Sequence, residues 1–133
     1  MRHSAVIAVM PFENFSGSHE DDYFSIGFVE DLTTDLAHFS NLQVIASYTT
    51  RKMGDASADL LSVAREIGID YLLKGNLRRL GGHLRLSAQL TATESGRILW
   101  AERYDAPLES LFEIQDDIVA RVASAISTQI DRA

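Results

Sequence analysis

The 133-residue chain carries a formal net charge of −7, with 46% hydrophobic residues, 23% charged residues and no cysteine. Its length is one domain's worth of chain, and its composition is that of an ordinary globular protein. Without cysteine, disulfides and thiolate metal sites are excluded, and the acidic charge argues against a general nucleic-acid binder, whose surface is usually basic. No apolar run approaches the roughly 20 residues that a membrane-spanning helix requires.

The first third of the chain predicts a strand, a loop and a helix. Ala5 to Met10 form a continuous apolar run closed by Pro11, which is typical of a strand covered on both faces. A turn-rich loop follows over residues 13–18. A helix is then expected from near Glu20 to Ser40-Asn41, because apolar residues recur along one face: Phe24, Phe28, Leu32, Leu36 and Phe39.

A second strand and a second helix come next. Leu42 to Ala46 is the predicted strand, and the polar residues 47–57 form an irregular loop. Gly68 is placed for a left-handed cap at the end of the second helix. The residues of this helix expected to face inward are Leu60, Val63, Ala64 and Ile67.

The stretch from Tyr71 to Asp105 predicts a three-stranded antiparallel meander on which the rest of the chain packs. A two-residue turn at Gly81-Gly82 would pair four sets of residues on one apolar face: Tyr71 with Ala92, Leu73 with Leu90, Gly75 with Ala88, and Leu77 with Leu86. A second turn at Glu94-Ser95-Gly96 would pair Ala92 with Ile98 and Leu90 with Trp100, which adds a strand from Ile98 to Tyr104 with Trp100 facing the core.

Pro107 is expected to open the last helix, whose inward stripe is Leu111, Ile114, Ile118, Val122 and Ala125, widened by Val119, Ile126 and Ile130. The predicted order is therefore β-α-β-α-β-β-β-α. This order predicts an α+β fold with a mixed five-stranded sheet and helices mainly on one face. The helical pattern still runs at Ala133, so residues 1–133 are expected to be one domain cut from a longer protein.

Two clusters near the first helix contain residue types that are found in ligand sites. His19 to Asp22 holds possible metal ligands, but neighbours at a helix start fan outward, and carboxylates there are favoured by the helix dipole. The interpretation is a solvated helix start rather than a metal site. Ser16-Gly17-Ser18 resembles a phosphate-cradling loop but lacks its lysine. With Asn14 they instead remain candidates for a small-ligand pocket against the 47–57 loop.

Three cations, Lys74, Arg78 and Arg85, are expected to share the polar face of the meander. The predicted register places Arg78 directly opposite Arg85, which is unfavourable unless an acid or a partner lies nearby. These residues are therefore either an ordinary solvated face relieved by local acids or a docking surface for an acidic partner or a neighbouring domain.

Catalytic residues are not indicated. Glu102 and Asp105 could form an acid/base pair, but no nucleophile groups with them, and His83 is expected to be solvated in its hairpin turn. The chain contains no G-x-S-x-G or H-E-x-x-H motif. We expect no catalytic residue, metal or cofactor in this domain.

Several motifs together resemble the TolB-like domain of bacterial signalling proteins: residues 7–17 (IAVMPFENFSG), Tyr23-Phe24 with Gly27 and Glu30-Asp31-Leu32, residues 64–68 (AREIG), residues 71–75 (YLLKG), Ala88-Gln89-Leu90 and residues 100–105 (WAERYD). The resemblance implies a fold similar to the amino-terminal domain of TolB, related to anticodon-binding domains. It also implies that the domain follows a class III adenylate/guanylate cyclase domain or a winged-helix DNA-binding domain in the parent protein and precedes tetratricopeptide repeats.

Three functions follow from these observations. The first is a non-catalytic interaction module of a bacterial regulator whose partners are neighbouring domains, another protein or a second copy, without direct nucleic-acid contact or membrane insertion. The second is a small-ligand sensor, and the third a stand-alone enzyme, which would require convergent polar groups in a cleft. A cytoplasmic and a periplasmic location remain equally open.

Overall fold

The structure is a computed structural model that describes residues 4–16, 19–46, 49–50, 52 and 59–132, excepting the side chains of residues 20 and 130–132. The strands are β1 Ala5–Val9, β2 Glu13–Asn14, β3 Leu42–Ile45, β4 Tyr71–Leu80, β5 His83–Ala92 and β6 Ile98–Pro107. The helices are α1 His19–Ala37, α2 Leu60–Ile67 and α3 Leu111–Arg132, the last preceded by a 3₁₀ turn at Leu108–Ser110.

The strands form one mixed sheet in the order β3-β1-β4-β5-β6. β1 pairs in parallel with β3 and β4, whereas β4, β5 and β6 are antiparallel. This confirms the predicted α+β fold. The segment predicted as a loop at 13–18 contains the additional strand β2, which pairs with β4. Two residues cannot show a period-2 pattern, so only the pairing reveals them.

The register of the β4–β5 hairpin is confirmed at all four predicted pairs. Gly81 has a φ of 63°, a conformation that its missing Cβ permits. The second turn differs by one residue: Leu90 pairs with Trp100 as predicted, but Ile98 pairs with Thr91, and a bulge lies between these pairs. The extra residue, Leu99, packs with Trp100 against the main core.

Apolar packing occurs on both faces of the sheet. Helices α1 and α3 cover one face with the main core, and α2 covers the other face over β1 through Ala64, Ala8 and Met10. The prediction that the first strand is covered on both faces is therefore confirmed. Two residues were wrongly predicted to face inward: Phe39 is 38% exposed and Ile67 is 51% exposed. Both lie at or beyond the end of a helix, where the apolar side of the helix no longer faces the sheet.

The last helix begins later than predicted. Pro107 ends β6 opposite His83, with φ −60° and ψ 150°, and Leu111 begins α3 after the 3₁₀ turn. Proline has no N–H to donate, so it is tolerated on an edge strand. The predicted apolar stripe of α3 is buried at Ile114, Ile118, Val122 and Ile126. Within the described part of the chain, no helix combines the length and apolar character needed to cross a bilayer.

Candidate functional site

One part of the sheet is left without a covering helix, and we call it the open face. It consists of the side chains of β4, β5 and β6 that point away from α1 and α3. Pairing places them in three rows across the strands: Lys74, Gln89 and Ala101; Asn76, Ser87 and Arg103; Arg78, Arg85 and Asp105. Glu13 of β2 adjoins the second row, opposite Asn76.

The three predicted cations all lie on the open face, but in different surroundings. Arg78 is exposed and directly opposite Arg85, as predicted. Arg85 donates to Oδ2 of Asp105 from Nη2 at 2.9 Å and from Nε at 3.3 Å. Lys74 is half-buried and, like Arg78, forms no ion pair with any described residue. The repulsion between the two arginines is therefore relieved by one local acid.

His83 is exposed, as predicted, but its side chain also has an acidic partner. Its Nε2 lies 2.6 Å from Oδ1 of Asp105. The hydrogen bond from His83, followed by that from Arg85, lowers the pKa of the Asp105 carboxyl below its ordinary value of 3.8. Glu102 is opposite Ala88, on the helix-covered side of β6, so Glu102 and Asp105 point to opposite faces and do not form an acid/base pair.

A groove of about 830 Å³ lies on the open face between its first two rows and the segment around β2. Its floor is made of short or flexible side chains, chiefly Asn76, Ser87, Gln89 and Ala101, with Lys74 and Arg103 at its sides. Its apolar wall consists of Met10, Pro11, Phe15 and Leu60.

The polar groups of this groove are unused within the described part of the chain. The side chains of Asn76, Ser87 and Gln89 form no hydrogen bond, and Arg103 forms no ion pair, with any described residue. An amide and a hydroxyl can each donate and accept. Taken together, the open face carries four cations against the carboxylates of Glu13 and Asp105, while the whole chain has a net charge of −7. The arrangement suits a partner with acidic groups.

The candidate loop pocket is described only in part. Asn14 donates from Nδ2 to Oδ1 of Asp22 at 2.8 Å and accepts from the backbone N–H of Ser16 at 2.9 Å. Gly17, Ser18 and most of the 47–57 loop lie outside the described residues, so the pocket between these loops stays a prediction. A cavity of about 350 Å³ does adjoin Asn14, lined by Pro11, Phe12, Ser25, Ile26 and Val29.

The start of α1 is less solvated than predicted. Asp21 is 4% exposed and lies 3.1 Å from Nε of Arg79. Arg79 is opposite Leu84, on the helix-covered face of the hairpin. A charge at an apolar position of a strand indicates a buried partner, and that signal was available in the sequence. Among the described residues, no three His, Cys, Asp or Glu side chains could hold a metal ion together.

Tyr104 joins β6 to α3. Its hydroxyl donates to Oδ2 of Asp117 at 2.6 Å. Burial, and then this hydrogen bond, raise the pKa of the Tyr104 phenol far above its ordinary range. The phenol therefore stays protonated at any physiological pH, and this contact holds α3 against the edge strand rather than supplying an acid or base.

Comparison with known proteins places the chain in a regulatory family. Residues 3–121 match the family model described as "HilA/YgeH-like transcriptional regulator, second domain". The chain is 40% identical over 124 residues to the protein named "Putative adenylate cyclase 3" of Rhizobium meliloti (strain 1021), matching 93% of this chain and 21% of that protein. It thus spans about a fifth of that relative's length.

Two solved structures share the fold. TolB from Acinetobacter baumannii superposes with a TM-score of 0.71 at 16% identity, over 94% of this chain and 29% of TolB. Lipoprotein GNA1162 from Neisseria meningitidis superposes with a TM-score of 0.64 at 18% identity, over 90% and 96% of the two chains. These likenesses confirm the predicted TolB-like fold, and the relatives are bacterial, as the resemblance implied. The chain belongs to the family of HilA/YgeH-like transcriptional regulator second domains.

Proposed function

We propose that this regulatory domain is a non-catalytic interaction module that docks an acidic protein surface on its open face. The partner is a neighbouring domain of the parent protein or a separate protein. The parent is an adenylate or guanylate cyclase, or a winged-helix regulator with tetratricopeptide repeats. The match to a regulator family and the relative named as an adenylate cyclase support a signalling role.

The observation that carries the proposal is the segregation of charge. A chain with a net charge of −7 presents four cations on one sheet face, of which only Arg85 is in an ion pair with a described residue. Asp105 compensates the charge of Arg85, but Lys74, Arg78 and Arg103 have no acidic partner among the described residues, so carboxylates of a docking protein could pair with them. Complementary charge mainly gives partner specificity and fast association, which are the properties that a regulatory contact needs.

The test is charge reversal within the full-length parent. Arg78→Glu with Arg103→Glu should weaken binding of the partner and disrupt regulation of the cyclic-nucleotide or transcriptional output, because both side chains lie on the open face. Arg97→Glu is the control for each reversal made singly, because it changes the net charge by the same amount but lies in the exposed β5–β6 turn, away from the groove. The proposal is overturned if the double reversal leaves every interaction and the regulation intact, or if Arg97→Glu disrupts them equally.

The second candidate is a small-ligand sensor at the cavity beside Asn14. Its 350 Å³ is within the range of ligand cavities, and its lining is largely apolar with a few polar groups. A ligand that binds only the folded chain must raise its Tm. A screen of nucleotides and metabolites should then find a stabilising compound whose effect is lost when Ser25→Leu fills the cavity; a screen without a stabilising compound counts against this candidate.

A further inference from the structure

We infer that the groove receives an extended acidic segment of the docking partner, carrying two carboxylates about four residues apart and an apolar residue beyond one of them. This inference rests on the proposed function and adds to it the kind of segment that is recognised. The occupant follows from three features of the groove: the spacing of its cations, its unused polar floor and its one-sided apolar wall.

The cations set the spacing. Lys74 and Arg103 lie on β4 and β6, two strands apart and in adjacent rows of the open face. Strands are about 4.8 Å apart and residues advance about 3.4 Å each, so the two α-carbons are separated by about 12 Å. In an extended peptide, residues i and i+4 point to the same side and are about 13 Å apart. Acidic residues at these positions can therefore reach both cations at once.

The floor favours a peptide. Ser87 and Gln89 lie on β5 between the two cations, and Asn76 lies beside them on β4. The side chains of all three are half-buried and have no hydrogen-bond partner among the described residues. Each group can donate and accept, as the backbone of an extended segment requires. Small-molecule sites are usually enclosed and mostly apolar, whereas this floor is polar and accessible from the surface. The backbone N–H and C=O groups of a peptide lying across the strands can form hydrogen bonds with this floor, which an apolar small molecule cannot.

The wall gives the segment its direction. Met10, whose backbone N–H bonds to the Leu73 oxygen, borders the groove next to the β4 position of Lys74, and Leu60 belongs to the same wall. Phe15, which is 51% exposed, extends the wall along β4 to the level of Arg78. A residue two positions before the first acid would point to the same side and contact this wall. Glu13 lies on the same border and would repel a third acid there. The expected pattern is apolar-x-acid-x-x-x-acid.

The experiment compares two peptides of identical composition on the 133-residue chain. The probe is acetyl-Leu-Ser-Glu-Ser-Gly-Ser-Glu-amide, and its control, acetyl-Leu-Ser-Glu-Glu-Ser-Gly-Ser-amide, has adjacent acids. Titration followed by NMR should shift the side-chain amide signals of Asn76 and Gln89 with the probe at lower concentration than with the control. Lys74→Ala and Arg103→Ala should each weaken binding by roughly fivefold, an effect that high salt diminishes.

Ala101→Phe separates the groove from the charges. It fills the floor, changes no charge and keeps a residue that β-strands favour, so it should abolish probe binding. Ala120→Phe on the exposed side of α3 adds the same ring elsewhere and should leave binding intact.

Equal binding of the two peptides, no binding of the probe, or full binding to Ala101→Phe would each overturn the inference. The proposed function would survive these results if Arg78→Glu with Arg103→Glu still disrupted regulation in the parent protein. If that double reversal were also silent, the proposed function would be overturned as well.

Discussion

Replacing Gly75 with alanine should destabilise the domain, because the backbone around this position leaves no room for a methyl group. A Cβ at Gly75 would overlap the backbone oxygen of Ser87 and lie 2.7 Å from Cε2 of Phe12. The Phe12 ring is itself held by an edge-to-face contact with Phe28, at 5.5 Å between ring centroids. The methyl group therefore meets one atom of the sheet backbone and one packed ring.

Overpacking a core costs about 1–3 kcal/mol. We expect the upper end of that range, about 3 kcal/mol of unfolding free energy, since β4 is paired on both sides and its backbone cannot easily move away from β5. Urea unfolding monitored by Trp100 fluorescence and by circular dichroism measures the change, provided that the slope with denaturant stays constant.

Gly27→Ala is the matched control, because nothing lies within 4 Å of its Cβ position in the middle of α1. Alanine in a helix interior is favoured over glycine by about 0.8–1 kcal/mol, so this variant should be stabilised. Adding Phe12→Leu to Gly75→Ala should recover little, since the overlap with the Ser87 oxygen remains. Ordinary surface substitutions change the free energy of unfolding by up to about 0.5 kcal/mol. A change no larger than this for Gly75→Ala would refute the steric argument.

Two further predictions concern charged pairs. Asp21→Asn should cost about 1–2 kcal/mol, less than breaking a fully buried ion pair, because the Arg79 side chain is 33% exposed to water. A double-mutant cycle with Asp21→Ala and Arg79→Ala should give a favourable coupling, and zero coupling would contradict the pairing. Asp105 has a lowered pKa in the folded chain, so its stabilisation is complete above its ordinary pKa of 3.8 and is lost as pH falls through the lower, folded value. Asp105→Asn should therefore flatten the fall of Tm as the pH is lowered below the ordinary carboxyl pKa of 3.8; an equal fall in both proteins would show that His83 and Arg85 do not stabilise the fold through this carboxylate.

The fold was largely predictable because turn residues and hydrophobic patterns along the chain indicated the same elements. The Gly81-Gly82 turn and the alternating pattern on either side specify one register, and a slip of one residue would expose every apolar side chain. The helices followed from equally regular stripes. The hydrophobic pattern did not predict features that involve only one or two residues. These are strand β2, which has two residues, and the β-bulge at which Leu99 is the extra residue.

The candidate site was predictable only in part. The cations Lys74, Arg78 and Arg85 follow directly from strand alternation. The groove does not, because its wall comes from Met10, Phe15 and Leu60, which the chain brings to β4 by tertiary packing. Asp21 differs, because a helix start rich in carboxylates is ordinarily solvated, and only the charge of Arg79 at an apolar position of β4 indicates a buried acid.

The position of β1 in the sheet has a consequence for protein synthesis. The backbone N–H of Val6 bonds to the carboxylate of Asp70, 64 positions along the chain, and β1 has parallel partners on both sides. At about 5–20 residues per second, the ribosome needs roughly 3–13 s to deliver the second partner after β1 emerges. The β4–β6 meander, whose contacts are local, can form as soon as it is made. Strand β1 therefore gains its second partner late. A nascent chain paused before residue 71 exposes an apolar strand with an unpaired edge, which makes it a target for chaperones and for aggregation.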